Sequence, residues 1–259
     1  MKSFIVLGAM FLGLGAHAGG SHGDHGGHEK PQASLKWEIL SPKDLTAGAA
    51  RFEFRISNSQ GNQFLSDQDL VETHERKIHL LVYDKSLNEF QHVHPEFSGS
   101  RWIADLSFVK NGNYKVWIQG KTLDAVEFNL PGDLKVAGGE TAWPTPPNMK
   151  DVRSGADGDS LAALSMQKLN KGRMAMLDLV LTQSNGKPAE VTPYLGAFAH
   201  VVAVPEDGES LIHVHPMEGS APNKGMLHVT FPKAGSYRLW VQFIDRNALR
   251  TVPLSVQVF

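Results

Sequence analysis

The chain repeats itself, and the repeat limits the folds open to it. KIHLLVYDKSLNEFQHVHPEF in the first half lines up with FAHVVAVPEDGESLIHVHPME in the second. Farther along, FVKNGNYKVWIQG lines up with FPKAGSYRLWVQF. A unit of this length that carries its own strands is a duplicated domain, not a turn of a solenoid. HVHP stands in both copies, as residues 92–95 and 213–216, in a chain with only 12 histidines. Paired imidazoles are therefore part of what was duplicated.

Each copy reads as strands. ARFEFRIS, KIHLLVY, WIADLSF and YKVWIQG alternate or run apolar with β-branched and aromatic residues, and turn sequences such as NSQGN and KNGN separate them. MAMLDLVL, AFAHVVAV, MLHVTF, YRLWVQF and PLSVQVF continue the pattern. No long amphipathic helix interrupts them. The expectation is an all-β chain of two tandem immunoglobulin-like antiparallel β-sandwiches, residues 34–132 and 155–259. PGDLKVAGGETAWPTPPN is rich in proline and glycine and reads as a linker, residues 133–154.

The N-terminus sets the expected compartment. Lys2, an apolar run from Phe4 to Ala16, and the small-x-small end Ala16-His17-Ala18 form the pattern of a secretory signal peptide over residues 1–18. The run is shorter than the ~20 residues of a membrane span, and no later segment reaches that length, so no span is expected in the mature chain. Residues 19–33, GGSHGDHGGHEKP among them, cannot bury a core and read as a disordered His/Gly-rich tail. His22, His25 and His28 make the tail a weaker metal-binding candidate, with a solvated linker as the plain alternative. A periplasmic or secreted location follows. The chain has no cysteine, so neither disulfides nor thiolate metal sites are open to it. A net charge of −2 offers no basic field for nucleic acid.

The histidines fall on one hairpin in each half. In the second, Asp207-Gly208 is a strong two-residue turn signal. Counting outward places Val202 opposite His213 and His200 opposite His215. Residues two apart on a strand share a face, so His200, His213 and His215 converge. In the first half, a turn centred on Ser86-Leu87 puts His79 opposite His94 with His92 alongside, and His74 stands near as a fourth candidate. Three imidazoles with few oxygen ligands suit Zn(II), Cu(II) and Ni(II) rather than calcium or magnesium. A single such histidine is more often a hydrogen-bonded structural residue. Two matched triads favour metal.

KIHLLVYDKSLNEFQHVHP with His74 before it, and YLGAFAHVVAVPEDGESLIHVHP, resemble the YtkA-like family of secreted immunoglobulin-like domains. The resemblance covers most of both halves. It implies the sandwich fold, a place in the bacterial cell envelope and, through some kin, copper handling. Nitrogen sites bind Cu(II) most tightly in the divalent series. Copper is therefore the first choice of ion and zinc the second. Met217, directly after the second HVHP, is a weaker thioether candidate. Met174 and Met176 read as core residues, as do the aromatics of the repeated YxxW, Tyr114 with Trp117 and Tyr237 with Trp240.

The chain thus reads as an exported metal-binding protein that buffers or delivers its ion, with an envelope metal-handling protein as a possible partner. One alternative is a non-catalytic envelope scaffold or interaction module without metal. Another is a three-histidine zinc hydrolase, for which Glu96 or Glu218 would have to act as base. H-E-x-x-H and P-loop sequences are missing, and there is no cysteine for a Cys-His pair, so no enzyme is expected.

Overall fold

The computed structural model describes residues 35–42, 44–73, 76–141, 147 and 149–259. The expected leader, the tail with His22, His25 and His28, and His74 lie outside them.

The first sandwich contains β1 (Leu35–Ser41), β2 (Leu45–Thr46), β3 (Gly48–Asn58), β4 (Ile78–Asp84), β5 (Phe90–Val93), β6 (Glu96–Ser98), β7 (Arg101–Phe108), β8 (Gly112–Lys121) and β9 (Glu127–Ala137). One sheet has the order β1-β3-β7-β6 and the other β2-β9-β8-β4-β5. The second sandwich contains β10 (Ser154–Asp157), β11 (Ser160–Leu164), β12 (Met174–Gln183), β13 (Val191–Thr192), β14 (His200–Pro205), β15 (Ile212–Val214), β16 (Met217–Glu218), β17 (Lys224–Thr230), β18 (Gly235–Asp245) and β19 (Ala248–Val258). Its sheets are β10-β11-β12-β17-β16 and β13-β18-β14-β15, with β19 added beside β18. Among the described residues the helical element is a single 3-10 turn, Asp67–Asp69.

The fold is that of two immunoglobulin-like sandwiches, and the sequence reason is alternation. On β3, Phe52, Phe54 and Ile56 point inward, and on β7 Trp102, Ala104, Leu106 and Phe108 do the same. In the second sandwich Leu177, Leu179 and Leu181 on β12 and Leu227 and Val229 on the neighbouring β17 point into one core together with Phe231. Each domain also carries a tyrosine corner. The Tyr114 hydroxyl donates to the Lys110 carbonyl at 2.8 Å, and that of Tyr237 to the Lys233 carbonyl at 3.0 Å.

The boundary between domains differs from the sequence expectation. β9 runs on to Ala137, so five residues expected in the linker, 133–137, belong to the last strand of the first sandwich. Pro131 sits opposite Trp117 in that ladder. A proline is tolerated there because residue 131 turns its backbone polar groups away from β8, its carbonyl accepting the Trp37 indole N–H at 3.0 Å. At the far end of the expected linker, Met149 is buried and Arg153 bonds Asp151 and the carbonyls of Ser165 and Gln167. Proline and glycine marked the connection, but the strand register took its first residues.

β4 and β14 are buried on both faces along their whole length. Their inner faces join the two domain cores. Their outer faces meet a third core that neither sandwich forms alone: Leu81, Tyr83, Leu87 and Trp117 from the first, Val202, Val204 and Trp240 from the second, and Met149 from the connection. The two sandwiches therefore pack through the outer faces of their β4-containing and β14-containing sheets. Phe90 stacks on Trp240, with centroids 4.7 Å apart and planes 11° from parallel. The Tyr83 hydroxyl donates to the Gly208 carbonyl at 2.7 Å and receives the Trp117 indole N–H at 2.9 Å.

This revises the reading of the repeated YxxW. A spacing of three puts the two rings on opposite faces of a strand. Tyr114 and Tyr237 belong to the domain cores, whereas Trp117 and Trp240 fill the contact between domains.

Candidate metal centre between the domains

Both hairpins have the register their turns imply. Leu81 pairs with His92 and Leu80 with Val93, while Val202 pairs with His213 and Val201 with Val214. A slip of one residue would have turned a histidine to the wrong face. His79, Leu81 and Tyr83 alternate onto the outer face of β4, and His200, Val202 and Val204 onto that of β14. Each face is thus apolar at one end and carries imidazole at the other. When the apolar ends pack, the imidazole ends are drawn together and lose water.

The two triads consequently form one cluster. The ring of His92 lies 5.0 Å from that of His213 and 5.2 Å from that of His200, centroid to centroid, and His79 lies 5.5 Å from His213. Two groups have ligand atoms all within 4.8 Å of one another: His79, His92 and His213, and His200, His213 and His215. The first crosses the domain boundary, and His213 belongs to both. His94 adds its Nε2 at 3.1 Å from His79 Nδ1.

The hydrogen bonds around the cluster decide which ring nitrogens carry protons. His79 Nε2 lies 3.0 Å from the Thr73 carbonyl, and His200 Nε2 lies 2.9 Å from the Tyr194 carbonyl. A carbonyl oxygen only accepts, so both Nε2 atoms are protonated and both Nδ1 atoms present a lone pair. His92 Nδ1 lies 3.2 Å from Gln242 Oε1 and His213 Nδ1 lies 3.1 Å from Gln119 Oε1. Each glutamine belongs to the opposite domain. In this orientation Gln242 Nε2 donates to Thr251 Oγ1 at 3.0 Å and Gln119 Nε2 to Asn129 Oδ1 at 3.3 Å, and each glutamine oxygen faces the ring. With Nδ1 protonated, His92 and His213 present a lone pair at Nε2.

Those lone pairs converge. His79 Nδ1 stands 3.0 Å from His92 Nε2, and His200 Nδ1 stands 3.3 Å from His213 Nε2. Nitrogens that share a tetrahedral ion at ~2.0–2.1 Å are themselves about 3.3 Å apart. The donor set and the spacing fit a divalent ion held by imidazole.

The rings are also kept neutral. Burial, then the neighbouring His200, His94 and His79, push His92 well below the ordinary histidine range. Burial, then His92, His215, His200 and His79, do the same to His213. His94 is lowered to about 3 by burial first and by His79 and Arg76 next. Neutral imidazole is the form that ligates metal.

Other expected residues fall elsewhere. Met217 is exposed on β16, in the outer sheet rather than on the hairpin. Met174 and Met176 are not core: they are 71% and 55% exposed, because β12 buries its leucines and turns the methionines to solvent. Glu96 and Glu218 are exposed on β6 and β16, and both candidate groups consist of histidine alone among the described residues. Gln119 and Gln242 were not expected. Their signal was present, since each stands two residues after the repeated tryptophan and hence on the same face.

Comparison with solved structures finds distant likenesses. The Escherichia coli adhesin FdeC is 13% identical over 90% of this chain and 66% of its own, with a TM-score of 0.28. Invasin, a bacterial integrin-binding protein, is 11% identical over 85% of this chain and 39% of its own, with a TM-score of 0.25. A bacterial ice-binding adhesin is 8% identical over 89% of this chain and 66% of its own, with a TM-score of 0.27. The chain spans less than two thirds of each, and at these scores the likeness carries no argument about what it does. Comparison with curated proteins finds no match. The two sandwiches themselves, over residues 33–137 and 154–259, match one family, and the chain belongs to it: the Domain of unknown function (DUF8832), present here in two tandem copies.

Proposed function

We propose that this is an exported metal-binding protein of the bacterial cell envelope that buffers or delivers copper through a single centre between its two domains. The observation that carries the reading is the pair of converging lone pairs, 3.0 and 3.3 Å apart, whose tautomers are set by backbone carbonyls and by a glutamine from the opposite domain. A metal site whose ligands are oriented by a second layer of hydrogen bonds is stiff and well aimed. The ion would be held by His79, His92, His200, His213 and His215, with His94 beside them. Because His213 serves both groups, they fill as one centre and not as two independent sites. The signal-like leader supports export, and the resemblance of both hairpins to YtkA-like domains supports the envelope and copper. Zinc suits the same nitrogens.

The apolar half of the contact favours a second reading, a metal-free interaction module, since that core holds the domains together by itself. Calorimetric titration separates the two. The full chain, with His22, His25 and His28 changed to Gln to silence the tail, is titrated with Cu(II) and with Zn(II). One ion per chain with a Kd tighter than micromolar is expected, lost at least 100-fold in His92→Gln/His213→Gln. Saturable binding that survives that double change would overturn the site, and no saturable binding at all would overturn the metal.

A further inference from the structure

The outer sheet of the second domain carries a face that alternation alone does not explain. On β12, Leu177 and Leu179 point into the core, so Met174, Met176 and Asp178 point to solvent. On β17, Leu227 and Val229 point inward, so Met226 and His228 point outward. The ladder sets them side by side. Met176 is opposite His228, Asp178 is opposite Met226, and Met226 is opposite Met217 of β16. Met176 and Met217 are 55% and 53% exposed.

The first domain serves as an internal control. Its equivalent face, on β3 and β7, carries Arg51, Glu53, Arg55 and Arg101. Glu53 pairs with Arg101 at 3.1 Å and Arg51 lies 3.9 Å from it. That is the ordinary composition of a solvated sheet face. In the second domain thioethers and an imidazole stand in the corresponding strands. They gain little there by burial, and solubility does not call for them.

Their chemistry does suggest a ligand. Thioether sulfur is a soft donor that selects Cu(I) and similar monovalent ions, and imidazole also serves copper. Cβ atoms directly opposite one another are ~4.5–5.5 Å apart and diagonal ones ~7–8 Å. A methionine has three rotatable side-chain bonds to span such gaps. We propose that Met176, Met217, Met226 and His228 form a second, surface site for a soft monovalent ion. The site is independent of the centre between the domains and stands whether or not that centre holds metal.

Silver(I), which is redox-inert and as soft as Cu(I), is the probe. The full chain is labelled at its methionine methyl groups and titrated while their resonances are followed. One equivalent should shift Met176, Met217 and Met226 together and leave the buried Met149 unmoved. Met176→Leu/Met217→Leu/Met226→Leu keeps side-chain size and removes sulfur, so it should melt like the parent and lose silver affinity at least tenfold. His92→Gln/His213→Gln should keep the silver response, and the leucine variant should keep divalent binding. Unmoved methyl resonances, or unchanged silver affinity in the leucine variant, would overturn the proposal.

Discussion

Acid should loosen the fold through two buried histidines, and the size of the effect follows from their position. His92 and His213 have pKa values pushed well below 6.5 in the folded protein and return to about 6.5 when unfolded. A group lowered on folding contributes stability that is present above its unfolded pKa and lost as pH falls toward its folded one. From about pH 7.5 to about 5.5, each group that stays neutral while its unfolded form gains a proton costs roughly 1.4 kcal/mol. The two together cost about 3 kcal/mol. His94, lowered to about 3, also stays neutral over this window and acts in the same direction, its share discounted for its partial exposure. Among the described residues, the titratable groups packed against them are the imidazoles of His79, His200 and His215 and, beside His94, Arg76, and none of these is an acid that would hold a proton on the cluster. Asp69, Asp159, Asp245 and Glu140 are held below their usual values and titrate under this window. For a chain of this size about 3 kcal/mol corresponds to a Tm drop of roughly 6–12 °C. Calorimetric melts in the presence of a chelator would measure it. The double variant His92→Gln/His213→Gln should lose less than half as much over the same range. A parent Tm that holds within about 2 °C, or an equal drop in the variant, would refute the linkage.

Other perturbations test the contact between domains. Trp240→Ala empties a site that is 2% exposed. It should cost about 3–5 kcal/mol and raise the radius of gyration in solution scattering as the sandwiches part. Tyr83→Phe strands both the Gly208 carbonyl and the Trp117 indole N–H, for a loss of roughly 1–3 kcal/mol in urea melts. Gln119→Leu and Gln242→Leu each remove the acceptor that fixes a tautomer in the opposite domain. Either should weaken divalent binding about 10–100-fold by calorimetry and lower the Tm by a few degrees, because a buried ring N–H loses its acceptor.

Much of the fold was legible along the chain. The Asp207-Gly208 turn and the period of two placed His200, His213 and His215 on one face, and the same count worked for His79, His92 and His94 around Leu87. There the non-glycine residue Leu87 takes a φ of +60° to close the turn. The two methionines of β12 were misread because a thioether suits either a core or a surface. Their exposure was settled by which alternate residues, Leu177 and Leu179, could bury more.

What the chain by itself determined is local: a duplicated unit, the alternation that builds each sandwich, and the hairpins whose turns set their register. These depend on residues within reach of one turn or one strand, where backbone geometry leaves few choices. Tertiary structure alone decided that the histidine faces meet, that Trp117 and Trp240 lie between domains rather than within them, and that Gln119 and Gln242 each set a proton on a ring in the other domain. Those contacts join residues as far apart as Gln119 and His213, and His92 and Gln242. They follow from the fit of two whole surfaces, and the spacing of residues along either strand does not encode that fit.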